Sequence, residues 1–106
     1  MLPLYSETNK NNKEMMNFNQ ISDKVSEKGF RRSTAARKMY DEDGNLQQVY
    51  DFEHRKKLDM VSVYQDEFGS VLYVEYTKVN FNQQTKKFSQ QVSRIDNMKE
   101  LMRFLA

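Results

Sequence analysis

The chain contains no cysteine and no tryptophan, and a single histidine. Without cysteine neither a disulfide framework nor a thiolate metal site can be built. The missing thiols also suit a reducing compartment, so the expected location is cytoplasmic. Long apolar runs are missing too. The longest are a few residues, far short of the roughly 20 that a membrane span needs, so no membrane partner is expected. The first residues, Met1 to Lys13, lack the apolar stretch of a signal peptide. There is no Gly-rich phosphate loop, no Walker pattern and no zinc spacing. No cofactor or metal is therefore expected.

A strong charge of either sign is also lacking. Seventeen basic and 15 acidic residues leave a formal net charge of +2. That balance permits a nucleic-acid partner without requiring one.

What is present fits one small domain. The 106 residues are 38% hydrophobic, with a mean hydropathy of −0.92, so the core must be small. Tyr5 to Lys13 are nearly all polar and cannot offset their ordering entropy by burial. Residues 1–14 are expected to be a flexible polar tail and 15–106 a single α+β domain.

The clearest pattern lies between Leu58 and Ile95. Three runs rich in Val, Tyr, Phe and Thr are separated by two polar clusters, Asp66–Gly69 and Asn82–Lys86. That is a three-strand antiparallel meander. Upstream, Ala35, Arg37 and Met39 would share one side of a strand. Asp41-Glu-Asp-Gly-Asn forms a turn. Leu46 to Glu53 returns, with Leu46, Gln48, Tyr50 and Phe52 on one face. The turns at Gly44 and Gly69 use the same chemistry twice. The fold class expected is α+β: about five antiparallel strands carrying a C-terminal helix.

Two helices flank the sheet. Met15, Phe18, Ile21 and Val25 recur at helical spacing, and Gly29 is placed to stop that helix. Ser22-Asp23 is a competing start signal. At the other end, Met98, Leu101, Met102 and Leu105 form a stripe, with Asp96 or Asn97 as cap. So short a helix forms only by docking. Its expected seat is Val61, Val63, Leu72, Val74 and Val92, each buried aliphatic being worth roughly 1.5–3 kcal/mol before entropy.

Register follows from loop lengths. A four-residue loop over Asp66–Gly69 pairs Val63 with Leu72 and Val61 with Val74, and Tyr76 follows on the same face. An odd loop, Gln83-Gln84-Thr85, would then pair Tyr76 with Val92 and bring Phe88 and Val92 into the core. A slip of one residue turns both away.

Catalytic constellations are scarce, and no enzymatic activity is expected. His54 sits among Arg55, Lys56 and Lys57 without an orienting carboxylate or nucleophile, and is read as a solvated loop residue. The acidic turn at Asp41 lacks the frame of a calcium loop. A carboxylate pair, Asp59 with Glu75, is the remaining catalytic thought, and nothing beyond cross-strand proximity places the two together.

The sheet face turned from the terminal helix is the candidate site. It is expected to show Ser62, Tyr64, Val71, Tyr73, Glu75, Thr77, Val79, Ser89, Gln91 and Ser93. Around Tyr64 and Tyr73 the chain supplies Arg31, Arg32, Arg37, Lys38, Arg55, Lys56, Lys57, Lys78, Lys86, Lys87 and Arg94. Aromatics bordered by cations can stack unpaired bases and hold phosphates. Single-stranded nucleic acid is accordingly the first expected partner. A larger protein is the second, with these residues acting as anchors of an interface. A homodimer built through the exposed sheet is a variant of that second reading. A plainer alternative is that tyrosines are common in strands and cations keep surfaces soluble.

Overall fold

In the computed structural model, residues 16–33 and 35–106 are described. The expected tail at residues 1–14, and Met15 of the first helical stripe, lie outside them.

Asn17 opens the first helix, α1 (Phe18–Glu27). Its side chain accepts from the amides of Asn19 and Gln20. The Ser22-Asp23 signal loses to it, because a cap at Asn17 lets Ile21 and Val25 both enter the core. Gly29, at φ +97, ends the helix.

Six strands then form one antiparallel sheet. They are β1 (Phe30–Arg32), β2 (Arg37–Tyr40), β3 (Leu46–His54), β4 (Met60–Asp66), β5 (Val71–Asn82) and β6 (Lys87–Ile95). The spatial order is β1-β3-β4-β5-β6, with β2 also on β3. β1 and β2 are one edge strand interrupted by two extra residues: Arg32 lies opposite Phe52, and Arg37 opposite Val49. Five strand positions thus hold six strands, in meander order. A final helix, α2 (Met98–Leu105), closes the chain. Asn97 caps it, and Glu100 reaches back to the amide of Asp96.

Both Gly hairpins are built alike, as their sequences suggest. Asp41 accepts from the amides of Asp43 and Asn45, and Asp66 from those of Phe68 and Ser70. In each, the glycine amide returns to the aspartate carbonyl. A bulge after Tyr64 then pairs Gln65 with Val71 and leaves Leu72 exposed.

One sheet face is sealed. Phe30, Phe52, Val61, Val63, Val74, Tyr76 and Ile95 pack with Ile21 and Val25 of α1 and with Leu101 and Leu105 of α2. Met98 and Met102 lie against this cluster, so the predicted C-terminal stripe docks on the sheet. Its seat differs from expectation in two members. The bulge removes Leu72, and Val92 faces the other way; Tyr76 and Ile95 take their places. Both helices share this face, so α1 does not cover the reverse.

The third strand of the meander corrects the expected register. Val92 pairs with Thr77, and Ser93 with Tyr76. The loop has four residues: Asn82 accepts from the amides of Gln84 and Thr85, and Lys86 adopts φ 59. That even loop shifts β6 by one residue. Phe88 and Val92 turn outward and Ile95 turns in.

Candidate interaction surface

The reverse face carries Val49, Asp51, Ser62, Tyr64, Tyr73, Glu75, Thr77 and Arg94 across its middle, by the pairing of β3 to β6. Val71, Ser89, Gln91 and Ser93, expected here, share parity with the helix side, because of the bulge and the shifted β6.

Tyr64 and Tyr73 are directly opposed across β4 and β5, with stacked rings 4.4 Å apart. Neither offers a free platform. Tyr64 is 8% exposed and donates from its hydroxyl to Glu75 at 2.8 Å. The outer face of Tyr73 is covered by the Arg94 guanidinium, 4.1 Å from the ring centroid. Burial, the bond to Glu75 and the Glu75 charge push the Tyr64 phenol up to about 12. Burial and the Glu75 charge raise Tyr73 in the same direction.

Arg37 is engaged as well. It donates twice to Asp51, at 2.6 and 2.9 Å, and Ser62 adds a third bond to that carboxylate at 2.7 Å. Burial pushes Asp51 up, but the Arg37 and Ser62 hydrogen bonds and the Arg37 charge outweigh it and hold the carboxyl below its usual range. The same bond raises Arg37 further above its ordinary value.

The other predicted cations are not gathered around these tyrosines. Arg31 and Arg32, alternating across β1, join Glu53, His54 and Arg55 around a depression at one sheet corner, and Lys56 and Lys57 follow in the exposed loop. Lys38 pairs with Gln48 and so takes the helix side. Lys86 and Lys87 lie at the tip of the β5–β6 hairpin, toward the opposite sheet edge. On the reverse face Arg31, Arg37 and Arg94 are matched by Asp51, Glu53 and Glu75, so charge there nearly cancels.

His54, expected to be a solvated loop residue, ends β3 half-buried and organises the corner. Its Nδ1 accepts from the amides of Lys56 and Lys57, at 2.9 and 3.1 Å, and Nε2 faces the Lys28 carbonyl at 3.0 Å. A carbonyl can only accept, so Nε2 carries the proton. Asp59 and Glu75 are spent on different tyrosines. The Tyr76 hydroxyl and the Val79 amide donate to Asp59, at 2.7 and 3.2 Å, and Tyr64 donates to Glu75.

A different feature of this face was missed from the sequence. β4 begins at Met60, opposite Thr77. Beyond that pair, β5 and β6 continue alone as a two-stranded arm from Lys78 to Gln91. On its reverse side the arm carries Val79, Phe81, Phe88 and Gln90, leading to Val92. Phe81 and Phe88 are cross-strand partners 4.7 Å apart, yet 41% and 63% exposed; Val92 is 49% exposed. The arm's lysines, Lys78, Lys86 and Lys87, fall on its other side or at its tip. At its base, a groove is lined by Leu58, Met60, Thr77, Val79 and Gln90 together with Glu53, His54, Lys57 and Asp59. The signal was legible: the apolar run from Val71 to Phe81 outlasts the run on β4, so its end has no neighbour there.

Among the described residues no group of His, Asp and Glu is arranged to hold a metal ion. No helix there is long and apolar enough to cross a membrane. Set against known protein families, characterised proteins and solved structures, the chain matches none.

Proposed function

We propose that the chain is a small non-enzymatic protein-interaction module, an adapter or inhibitor that docks through the aromatic side of the β5–β6 arm and the groove at its base. One observation carries this reading: Phe81 and Phe88, paired and exposed on a ribbon with no packing layer of its own. A two-stranded hairpin is marginal alone in water, and contiguous exposed apolar surface marks contact sites. The next residues on the same side of the arm, Val79 and Gln90, are uncharged, as at the centre of protein interfaces, where aromatics are enriched and charges depleted. The test is quantitative capture from the native host with wild type and a Phe81→Ser/Phe88→Ser variant as baits. Stoichiometric partners retained by wild type and lost by the folded variant support the reading. Identical capture by both baits contradicts it.

The basic corner favours a second reading, binding of single-stranded nucleic acid. Arg31, Arg32 and Arg55 line one depression together with Glu53 and His54, with Lys56 and Lys57 next in the chain, and phosphate contacts there would supply salt-dependent affinity. The Tyr64–Tyr73 pair would contribute little, since both rings already have partners. Titration of a labelled oligonucleotide at two salt concentrations decides; absence of binding at low salt sinks this reading.

A further inference from the structure

The two edges of the sheet differ. The β1/β2 edge is broken after Arg32 and carries Arg31, Arg32, Arg37 and Lys38. Interruption and charge are devices that keep a strand edge from pairing. The β6 edge is unbroken, and its two charges, Lys87 and Arg94, lie toward its ends. It runs nine residues without proline, glycine or bulge. Between Lys87 and Arg94 it reads Phe-Ser-Gln-Gln-Val-Ser, six uncharged residues of the type that pairs readily with another strand.

The pairing pattern shows which backbone groups are free. The Val79 amide points away from β6, donating to Asp59. Val79 and Gln90, its partner across the ladder, are therefore a non-hydrogen-bonded pair. By alternation Phe88, Gln90 and Val92 turn their N–H and C=O groups outward, along the edge.

We infer that the occupant of this edge is a second copy of the chain, its β6 paired antiparallel about a two-fold axis through Gln90. This rests on the protein-interaction reading above and names one partner for it. The edge is self-complementary in that register. Phe88 of each copy lies opposite Val92 of the other, Gln90 opposite Gln90, and Ser89 opposite Gln91. Every outward-facing N–H meets a carbonyl of the other copy and every outward-facing carbonyl an N–H, and no like charges oppose each other between residues 87 and 93. The paired sheets continue through the dyad, as an isologous interface requires. The Phe81, Phe88 and Val92 strips of both copies then share one face. A nine-residue strand spans about 30 Å. With the adjoining side chains it buries on the order of 1,000 Å² over both copies, the low end of specific interfaces. For so small an edge contact the expected outcome is a weak, micromolar dimer.

The test combines sedimentation velocity with single-cysteine cross-linking, which is clean in a chain lacking cysteine. Directly opposed hydrogen-bonded residues have Cα atoms about 5.5 Å apart, within disulfide reach. Gln90→Cys is expected to oxidise to a covalent dimer, and Ser93→Cys, far from its own symmetry mate, to remain monomeric. Val92→Pro removes an outward amide, which an edge strand tolerates. It should keep the fold by circular dichroism and weaken dimerisation at least tenfold. A wild-type chain that stays monomeric through the high-micromolar range overturns the inference. So does a dimer indifferent to Val92→Pro, or one cross-linked through Ser93→Cys. A monomer whose Phe81→Ser/Phe88→Ser variant still loses a captured partner would sink the dimer and leave the protein-interaction reading standing. A monomer with unchanged capture would sink both.

Discussion

Single residues set the geometry at the base of the arm and across the open face. Gly29 stands at φ +97, and a Cβ there would sit 2.8 Å from His54 Nε2. Gly29→Ala therefore combines backbone strain of roughly 1–2 kcal/mol with displacement of the ring that holds the Lys56 and Lys57 amides. Gly44 and Gly69 also have positive φ but open space around them. Urea unfolding should rank Gly29→Ala clearly below Gly44→Ala in stability; equal losses would show that the His54 contact carries nothing. Asp51 gives a pH prediction. Its carboxyl is held low in the folded state, so its contribution is present above the unfolded value near 3.9. It is lost as pH falls through the folded value. Because Arg37 is about half exposed, the Arg37–Asp51 pair is discounted to about 1–2 kcal/mol. Asp51→Asn should lower stability by about that much at neutral pH, and the difference from wild type should shrink below about pH 4. A constant difference across that range would contradict the ion-pair account.

At the scale of elements, the register of β6 decides which residues are core. The sequence offered Phe88 and Val92 at one parity and Ile95 at the other, so counting apolar residues favoured the wrong face. The turn settled the matter through local chemistry: the Asn82 side chain and a left-handed Lys86 build a four-residue loop, and Ile95 lies beside α2 where it can be buried. The rest of the meander was legible because Val61, Val63, Val74 and Tyr76 keep strict alternation, and the aspartate-glycine turns carry their own signature. The helices were legible as stripes, although the cap that won at α1 was Asn17. The candidate site was only half legible. Tyrosines and cations are visible as letters, whereas their engagement by Glu75, Arg94 and Asp51 depends on register. A contrast tests this assignment. Leu101→Ala, fully buried, should cost about 2–4 kcal/mol. Phe88→Ser should lose only its edge contact with Phe81, about 0.5–1.5 kcal/mol. Thermal unfolding that ranks Phe88→Ser with Leu101→Ala would return Phe88 to the core and remove the arm's role.

For the whole molecule, the account is one of asymmetry. Both helices spend their apolar stripes on one side of the sheet, and the reverse is closed only in its middle by a network of Arg37, Asp51, Ser62, Tyr64, Glu75, Tyr73 and Arg94. Past that network the arm projects with its phenylalanines uncovered and its outer strand unpaired. Local stability should follow this layout, since exchange protection tracks buried contacts and shared hydrogen bonds. The most direct measurement is hydrogen exchange on the chain, diluted below any self-association. The account predicts the slowest amides in β4 and in β5 through Thr77, with residues 79–92 exchanging markedly faster and slowing only when a partner is added. Protection over 79–92 equal to that of β4 in the dilute chain would mean the arm is already covered, and would contradict the account.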